Sequence, residues 1–423
     1  MPKLYEVIVM RRPLVFIHGI FGSMYVPTLV GKAWGFGPAG YIYDSFVENL
    51  KSLGYTEGKN LFICYYEWWK DIPECVNTLM SKINEAKIKN NCDKVDVVCH
   101  SMGGLLLRSY VQGDFYRNDV GKVVFLSSPH YGAANAYYAW EGGAVPPDND
   151  EDFLNILLRG FIWAIGKIKG EKDELMIIRR YIPSIKSLMP SVEYGNYVFK
   201  YPIKNNKIVF KNILYMKEQN RFLNELNSSI DKFYERADEV YVFSGNGIYT
   251  NKFIQVADSD DSVLWPDGRA VGVVRDDKGD GTVLIKSALG VEGNKYVLNA
   301  GHGGILNASI PHLKEILGVE EAPKVSVLEK ILSFVNILTD SKVLVLDRGQ
   351  KLKKYNVFGK VNWYMAINEE GEYHFSSPDF AARSIMIHTN KGFAVKTIKQ
   401  KDRFRKSETR LFVDRNGNFE FKG

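Results

Sequence analysis

A serine, an aspartate and a histidine occur in that order along this chain, each on a loop, and together these three side chains can do nucleophilic chemistry: the histidine takes the serine proton and the aspartate orients the ring. Ser101 lies in Cys99-His100-Ser101-Met102-Gly103-Gly104, directly after the apolar run Val95 to Cys99 and before a helical pattern that opens at Gly103. A strand that turns sharply into a helix lifts a serine hydroxyl above the sheet, and it needs small residues two positions away on either side. Gly103 meets that need; Cys99 stands where glycine is usual, but is itself small. The helix start behind Ser101 supplies a positive field and free N–H groups, so the Met102 N–H is an expected oxyanion donor. Upstream, Phe16-Ile17-His18-Gly19-Ile20-Phe21-Gly22-Ser23 closes another apolar run, and the Ile20 N–H is the expected second donor. Phe21 and His100, next to these donors, are the expected substrate contacts, and His18 reads as a brace for its loop.

The acid should follow the nucleophile and precede the base. Asp280 in Lys278-Gly279-Asp280-Gly281-Thr282-Val283 fits, with Asp258, Asp260, Asp261, Asp267, Asp276 and Asp277 as nearby competitors. Asp276-x-Lys278-x-Asp280-Gly281 also has the outline of a calcium loop, but a lysine at a ligand position and Ser287 in place of the closing glutamate argue against it. His302, between glycines in Ala300-Gly301-His302-Gly303-Gly304, is the expected base, ahead of His312, His374 and His388.

The elements around these residues alternate. Pro13 to Ile17, Leu61 to Tyr66, Val95 to Cys99, Val123 to Leu126 and Val240 to Ser244 read as strands. Helical spacing covers Tyr41 to Leu53 and Asp71 to Lys89, and a further helix opens at Gly103. Continuous apolar strands between helices indicate a parallel sheet covered on both faces. Residues 133 to about 238 interrupt this rhythm and read as a helical lid insertion. Within it, Phe153 to Ile165 is apolar almost all round, yet too short for a bilayer. A helix is expected over Val325 to Leu338. From Lys342 onward, strand-like runs with turn signals at Glu370-Gly371, Lys391-Gly392 and Asn416-Gly417 indicate a small antiparallel β domain. The expected division is a catalytic domain over 1–320 and a β domain over 340–423.

Composition is ordinary for a globular chain, at 45% hydrophobic and 25% charged, and a net charge of +6 over 423 residues does not argue for nucleic acid. The four cysteines, Cys64, Cys75, Cys92 and Cys99, form no CxxC pair and read as reduced, buried thiols. The N-terminus lacks the order of charge and apolar run of a signal peptide, so a cytoplasmic location is the default expectation. The sequence gives no oligomeric state.

Taken together, FIHGIFGS, VVCHSMGGL, LSSPHYGAA, KGDGTVL and GHGGIL resemble the motifs of the lipase and acyltransferase branch of the α/β hydrolases, which includes lecithin:cholesterol acyltransferases and GPI inositol-deacylases. The likeness spans about residues 13 to 317 and does not reach the β domain. It implies an α/β-hydrolase fold and cleavage of carboxylic esters through an acyl-serine, with Asp280 as the triad acid and no metal or organic cofactor. The implied substrates are esters of hydrophobic or lipid-like acyl groups, with transient contact at a lipid interface. An acyltransferase would share the same intermediate, and a binding protein on a hydrolase scaffold is the remaining alternative. Tyr65, Tyr66, Trp68, Trp69, Tyr137, Tyr138 and Trp140 are expected to form an aromatic rim near the site.

Overall fold

The computed structural model describes residues 11–28, 31–146, 153–201 and 208–319, together with the strands and adjoining residues of the C-terminal region between 333 and 422. Its centre is a six-stranded sheet in the order Asn294–Asn299, Glu239–Asn246, Val120–Leu126, Val95–His100, Leu14–Ile17, Leu61–Cys64. Every neighbouring pair in it runs parallel.

Side chains alternate across a strand, so a buried sheet feeds two cores. Val15, Ile17, Cys64, Val97, Cys99 and Phe125 point to one face, where helices Val76–Asn90 and Met102–Gln112 pack through Leu79, Ile83, Leu105 and Leu106. Leu14, Phe16, Ile63, Val98, Val124 and Phe243 point to the other, against helix Gly40–Ser52 through Tyr43, Phe46 and Leu50 and helix Ile310–Ile316 through Leu313. A residue at the end of one of these strands is therefore fixed by packing on both sides. That is the setting a serine on a tight turn requires. Three of the four cysteines lie in this buried region, all four are free, and Cys92 is half-buried.

The insertion departs from the helical expectation. It does hold helices Ala136–Gly142, Phe153–Lys169, Glu174–Tyr181, Arg221–Ser228 and Asp231–Arg236. It also contributes strands Val198–Lys200 and Val209–Phe210. These join the hairpin Thr250–Ala257 and Arg269–Asp276 in a separate four-stranded sheet. Runs this short carry too little periodicity to separate strand from helix. Helix Phe153–Lys169 buries Leu157, Leu158 and Ile162 in the body.

In the C-terminal region, Ser333–Thr339 is a strand, not the end of a helix. It pairs antiparallel with Val361–Ile367 on one side and Ala382–Thr389 on the other. The rest of the expected helix, residues 325–332, lies outside the described residues. Nine strands form two antiparallel sheets of four and five strands, among the described residues. Gly371 begins the strand Gly371–Ser377, and the Lys391-Gly392 and Asn416-Gly417 turns fall wholly or partly outside the described residues.

Candidate active site

Ser101 stands between the strand Val95–His100 and the helix Met102–Gln112, with φ 53° and ψ −128°. A serine with positive φ is strained, and strain of this kind persists only where the surroundings enforce it. Here they do. A β-carbon on Gly103 would meet the backbone oxygens of Ile17 and His18 at 2.6 Å, and one on Gly104 would meet Ser128 Oγ at 2.2 Å. The helix can approach the sheet this closely only with glycine at both positions. The Ser101 N–H donates to the Leu126 carbonyl at 3.0 Å, an ordinary ladder bond.

His302 Nε2 lies 2.9 Å from Ser101 Oγ, and His302 Nδ1 lies 2.8 Å from Asp280 Oδ2. An ionised carboxylate only accepts, so Nδ1 carries the proton and Nε2 is left to accept from the serine hydroxyl. Asp280 is buried, and its Oδ1 accepts from the N–H groups of Thr282 at 2.9 Å and Val283 at 2.7 Å. Burial pushes the carboxyl up, but the His302 ring and these two amides outweigh it and hold it below the usual carboxylate range. The loop is fastened from outside by Thr250 Oγ1, which accepts from Gly281 N–H at 2.8 Å, and by the His302 N–H donating to the Asp280 carbonyl at 2.9 Å. Both oxygens of Asp280 are thus engaged, and Asp276 is paired to Lys252 at 2.7 Å.

Several of the competing acids and bases are engaged with other partners. Asp258 pairs with Lys200, Asp261 accepts from Val263 and Leu264 in its own loop, and Asp267 accepts from Lys217 and Glu218 N–H. His312 packs on the rings of Phe243 and Tyr296, and His374 pairs with Glu372.

The loop after Leu14–Ile17 is braced by three aromatic side chains. Tyr43 Oη accepts from Gly19 N–H at 2.8 Å, Tyr66 O–H donates to the His18 carbonyl at 3.0 Å, and Trp68 Nε1–H donates to the Ser23 carbonyl at 2.6 Å. His18 stacks on Tyr66 with ring centroids 4.5 Å apart, and burial pushes its imidazole down to about 3. It is a neutral brace. Phe21 has φ 60° and packs its ring on Trp68 at 4.4 Å and on Phe161 of the insertion at 6.4 Å.

Two sequence expectations change here. His100, expected to touch substrate, spends Nδ1 on the Tyr43 hydroxyl at 2.8 Å and Nε2 on the His302 carbonyl at 2.9 Å, and is 2% exposed. It is therefore held in the interior, between Tyr43 and the main chain of His302. The aromatic rim is mostly interior: Tyr66, Trp68, Tyr137, Tyr138 and Trp140 are buried. Tyr43 was not distinguished by its sequence. It lies in the apolar stripe of a helix, and nothing in its spacing separates a hydrogen-bonding hydroxyl from a core ring.

Solved structures with similar chains include the mature form of the lipase BlEst2 from Bacillus licheniformis, at 17% identity over 73% of this chain and 92% of that one, with a TM-score of 0.40. The propeptide form of the same lipase aligns over 97% of this chain and 96% of that one, at 13% identity and a TM-score of 0.40. A gene product from Listeria innocua aligns over 73% of this chain and 94% of that one, at 14% identity and a TM-score of 0.35. No curated protein matches. The fold is that of the α/β hydrolases. Residues 13–287, from the strand Leu14–Ile17 through the Asp280 loop, match the family described as palmitoyl protein thioesterase. The chain belongs to the palmitoyl protein thioesterase family, a family of ester hydrolases.

Proposed function

We propose that this protein is a serine hydrolase that cleaves esters and thioesters of hydrophobic acyl groups through an acyl-serine. The observation that carries the reading is the continuous line from Asp280 through His302 to Ser101, with both contacts below 3 Å. In this mechanism His302 Nε2 takes the Ser101 proton as Oγ attacks the acyl carbon. Asp280 keeps the Nδ1–H tautomer in place and stabilises the imidazolium that forms. The N–H groups of Ile20 and Met102 hold the oxyanion. His302 then returns the proton to the departing alcohol or thiol, and water repeats the sequence to release the acid.

The family supports the thioester as a substrate, and the local chemistry supports an apolar acyl chain. Phe21, directly after Ile20, packs on Trp68, which in turn packs on Phe161, so the loop that carries the proposed oxyanion donor is backed by apolar rings. The test is turnover of p-nitrophenyl esters and of matched acyl thioesters from two to sixteen carbons. Rising kcat/KM with chain length, on both series, supports the reading. Preference for acetyl groups, or equal turnover by Ser101→Ala, overturns it.

A further inference from the structure

We propose that Tyr43 and His100 act as a pair of positioning residues, a buried strut that ties the oxyanion loop to the main chain of His302. This rests on the serine-hydrolase reading above. Gly19 N–H donates to Tyr43 Oη at 2.8 Å, Tyr43 Oη lies 2.8 Å from His100 Nδ1, and His100 Nε2 lies 2.9 Å from the His302 carbonyl oxygen.

The protons in this chain have one consistent arrangement. A carbonyl oxygen only accepts, so His100 Nε2 carries a hydrogen. In a neutral imidazole Nδ1 is then bare and accepts from the Tyr43 hydroxyl. That oxygen in turn accepts from Gly19 N–H. Each donor has one acceptor, and none is left over. Tyr43 is 1% and His100 2% exposed, so water does not compete for these bonds. Burial pushes the His100 imidazole down to about 3, with the neighbouring His302 adding to the effect, which keeps the ring neutral. A fully satisfied buried network is rigid.

The two ends of the strut are what make it matter for the reaction. Gly19 directly precedes Ile20 and packs on Ser101. His302 donates its own N–H to Asp280, so with His100 on its carbonyl its main chain is held at both polar atoms. The oxyanion donor and the base are thus set by one internal chain of bonds that passes behind the nucleophile. Neither Tyr43 nor His100 touches the reacting atoms.

Two measurements test this. Histidine-selective ¹⁵N labelling resolves the ring tautomers of the seven histidines, and His100 is expected as the neutral Nε2–H form. Kinetics on a short p-nitrophenyl ester then compare Tyr43→Phe, His100→Gln, His100→Leu and the Tyr43→Phe/His100→Leu double variant. Tyr43→Phe, which removes both hydrogen bonds of the hydroxyl, is expected to lower kcat about tenfold with KM unchanged. His100→Gln, whose amide still addresses the His302 carbonyl, should retain more kcat than His100→Leu. The double variant should lose far less than the product of the two single losses, because either substitution alone already cuts the strut. An Nδ1–H or charged His100 near pH 7, an unchanged kcat in Tyr43→Phe, or losses that multiply would overturn the strut. A wild type without turnover would instead contradict the serine-hydrolase reading, while the His100 tautomer still decides the strut by itself.

Discussion

Gly19 and Ser101 meet so closely that a β-carbon on Gly19 would stand 2.7 Å from the Ser101 β-carbon. Ser101 and the loop after the strand Leu14–Ile17 thus share one tight contact surface. Tyr43 Oη and the His100 carbonyl oxygen flank the same point at 3.2 and 3.3 Å. Substituting Gly19 by alanine forces the loop off the serine. We expect a loss of about 1–3 kcal/mol in stability from overpacking, and a fall in kcat at least as large as that of Tyr43→Phe. Chemical denaturation and steady-state kinetics on the same preparation check both.

Removing Ser101 or His302 should lower kcat by roughly 10⁴-fold or more, and the double variant should be no worse than either single one, because the residues act as a unit. Asp280→Asn should also be severely impaired, through loss of the Nδ1–H tautomer. Asp258→Asn should keep near-normal turnover, since that carboxylate pairs with Lys200 at an exposed position. Parallel kcat determinations on one ester decide the assignment of the acid. Normal activity in Asp280→Asn would refute it.

The Glu141 carboxyl, buried on helix Ala136–Gly142, gives the insertion a pH-dependent stability. Burial pushes it up to about 9, although its Oε2 accepts from Asp267 N–H at 3.0 Å. Its folded value lies above its unfolded one, so the folded state binds the extra proton. Stability from this group is therefore complete below pH 4–5 and falls progressively as pH rises toward 9. Asp267, beside it, is held low by the amides of Glu218 and Lys217 and by Lys211, despite its burial, and stays ionised. Glu141→Gln should remove the decline. Thermal melts at pH 5 and pH 8.5 should show the variant gaining on the wild type only at the higher pH. An equal gap at both would contradict the assignment.

Cys99 occupies the position where the turn usually has glycine, and the strand register explains why it is tolerated. It pairs with Ile17 and Phe125 in the sheet, fully buried on the core face. Desolvation pushes its thiol well above the usual range, so it is no nucleophile. Cys99→Gly should leave kcat nearly intact and cost about 1 kcal/mol or more through strand entropy and a small cavity. Urea unfolding and ester turnover test this together.

The parallel-sheet body was readable because its signals reinforce one another. Apolar runs ending at His18 and Cys99, each followed by glycine within a few residues, identify strand ends even without knowledge of the sheet order. The Asp280 loop was legible from Gly279 and Gly281, which the tight turn requires; a β-carbon on Gly279 would meet Thr250 Oγ1 at 2.3 Å. What stayed hidden depends on contacts across long sequence distances. His100 looked like a substrate contact because it adjoins Ser101; its partners, Tyr43 and the His302 carbonyl, lie 57 and 202 residues away. The strands Val198–Lys200 and Thr250–Ala257 pair across helices and a strand of the main sheet, and no local pattern announces that pairing. Ser333–Thr339 failed for a different reason, since an apolar run of this length satisfies helix and strand periods equally well.

The central claim is that Ser101 is the nucleophile, and the most direct measurement is covalent capture. Wild-type protein treated with a fluorophosphonate, digested and mapped by mass spectrometry, should carry the adduct on the peptide containing Ser101. His302→Ala should label far more slowly, and Ser101→Ala should not label at all. An adduct on another serine, or equal labelling of Ser101→Ala, would contradict the account.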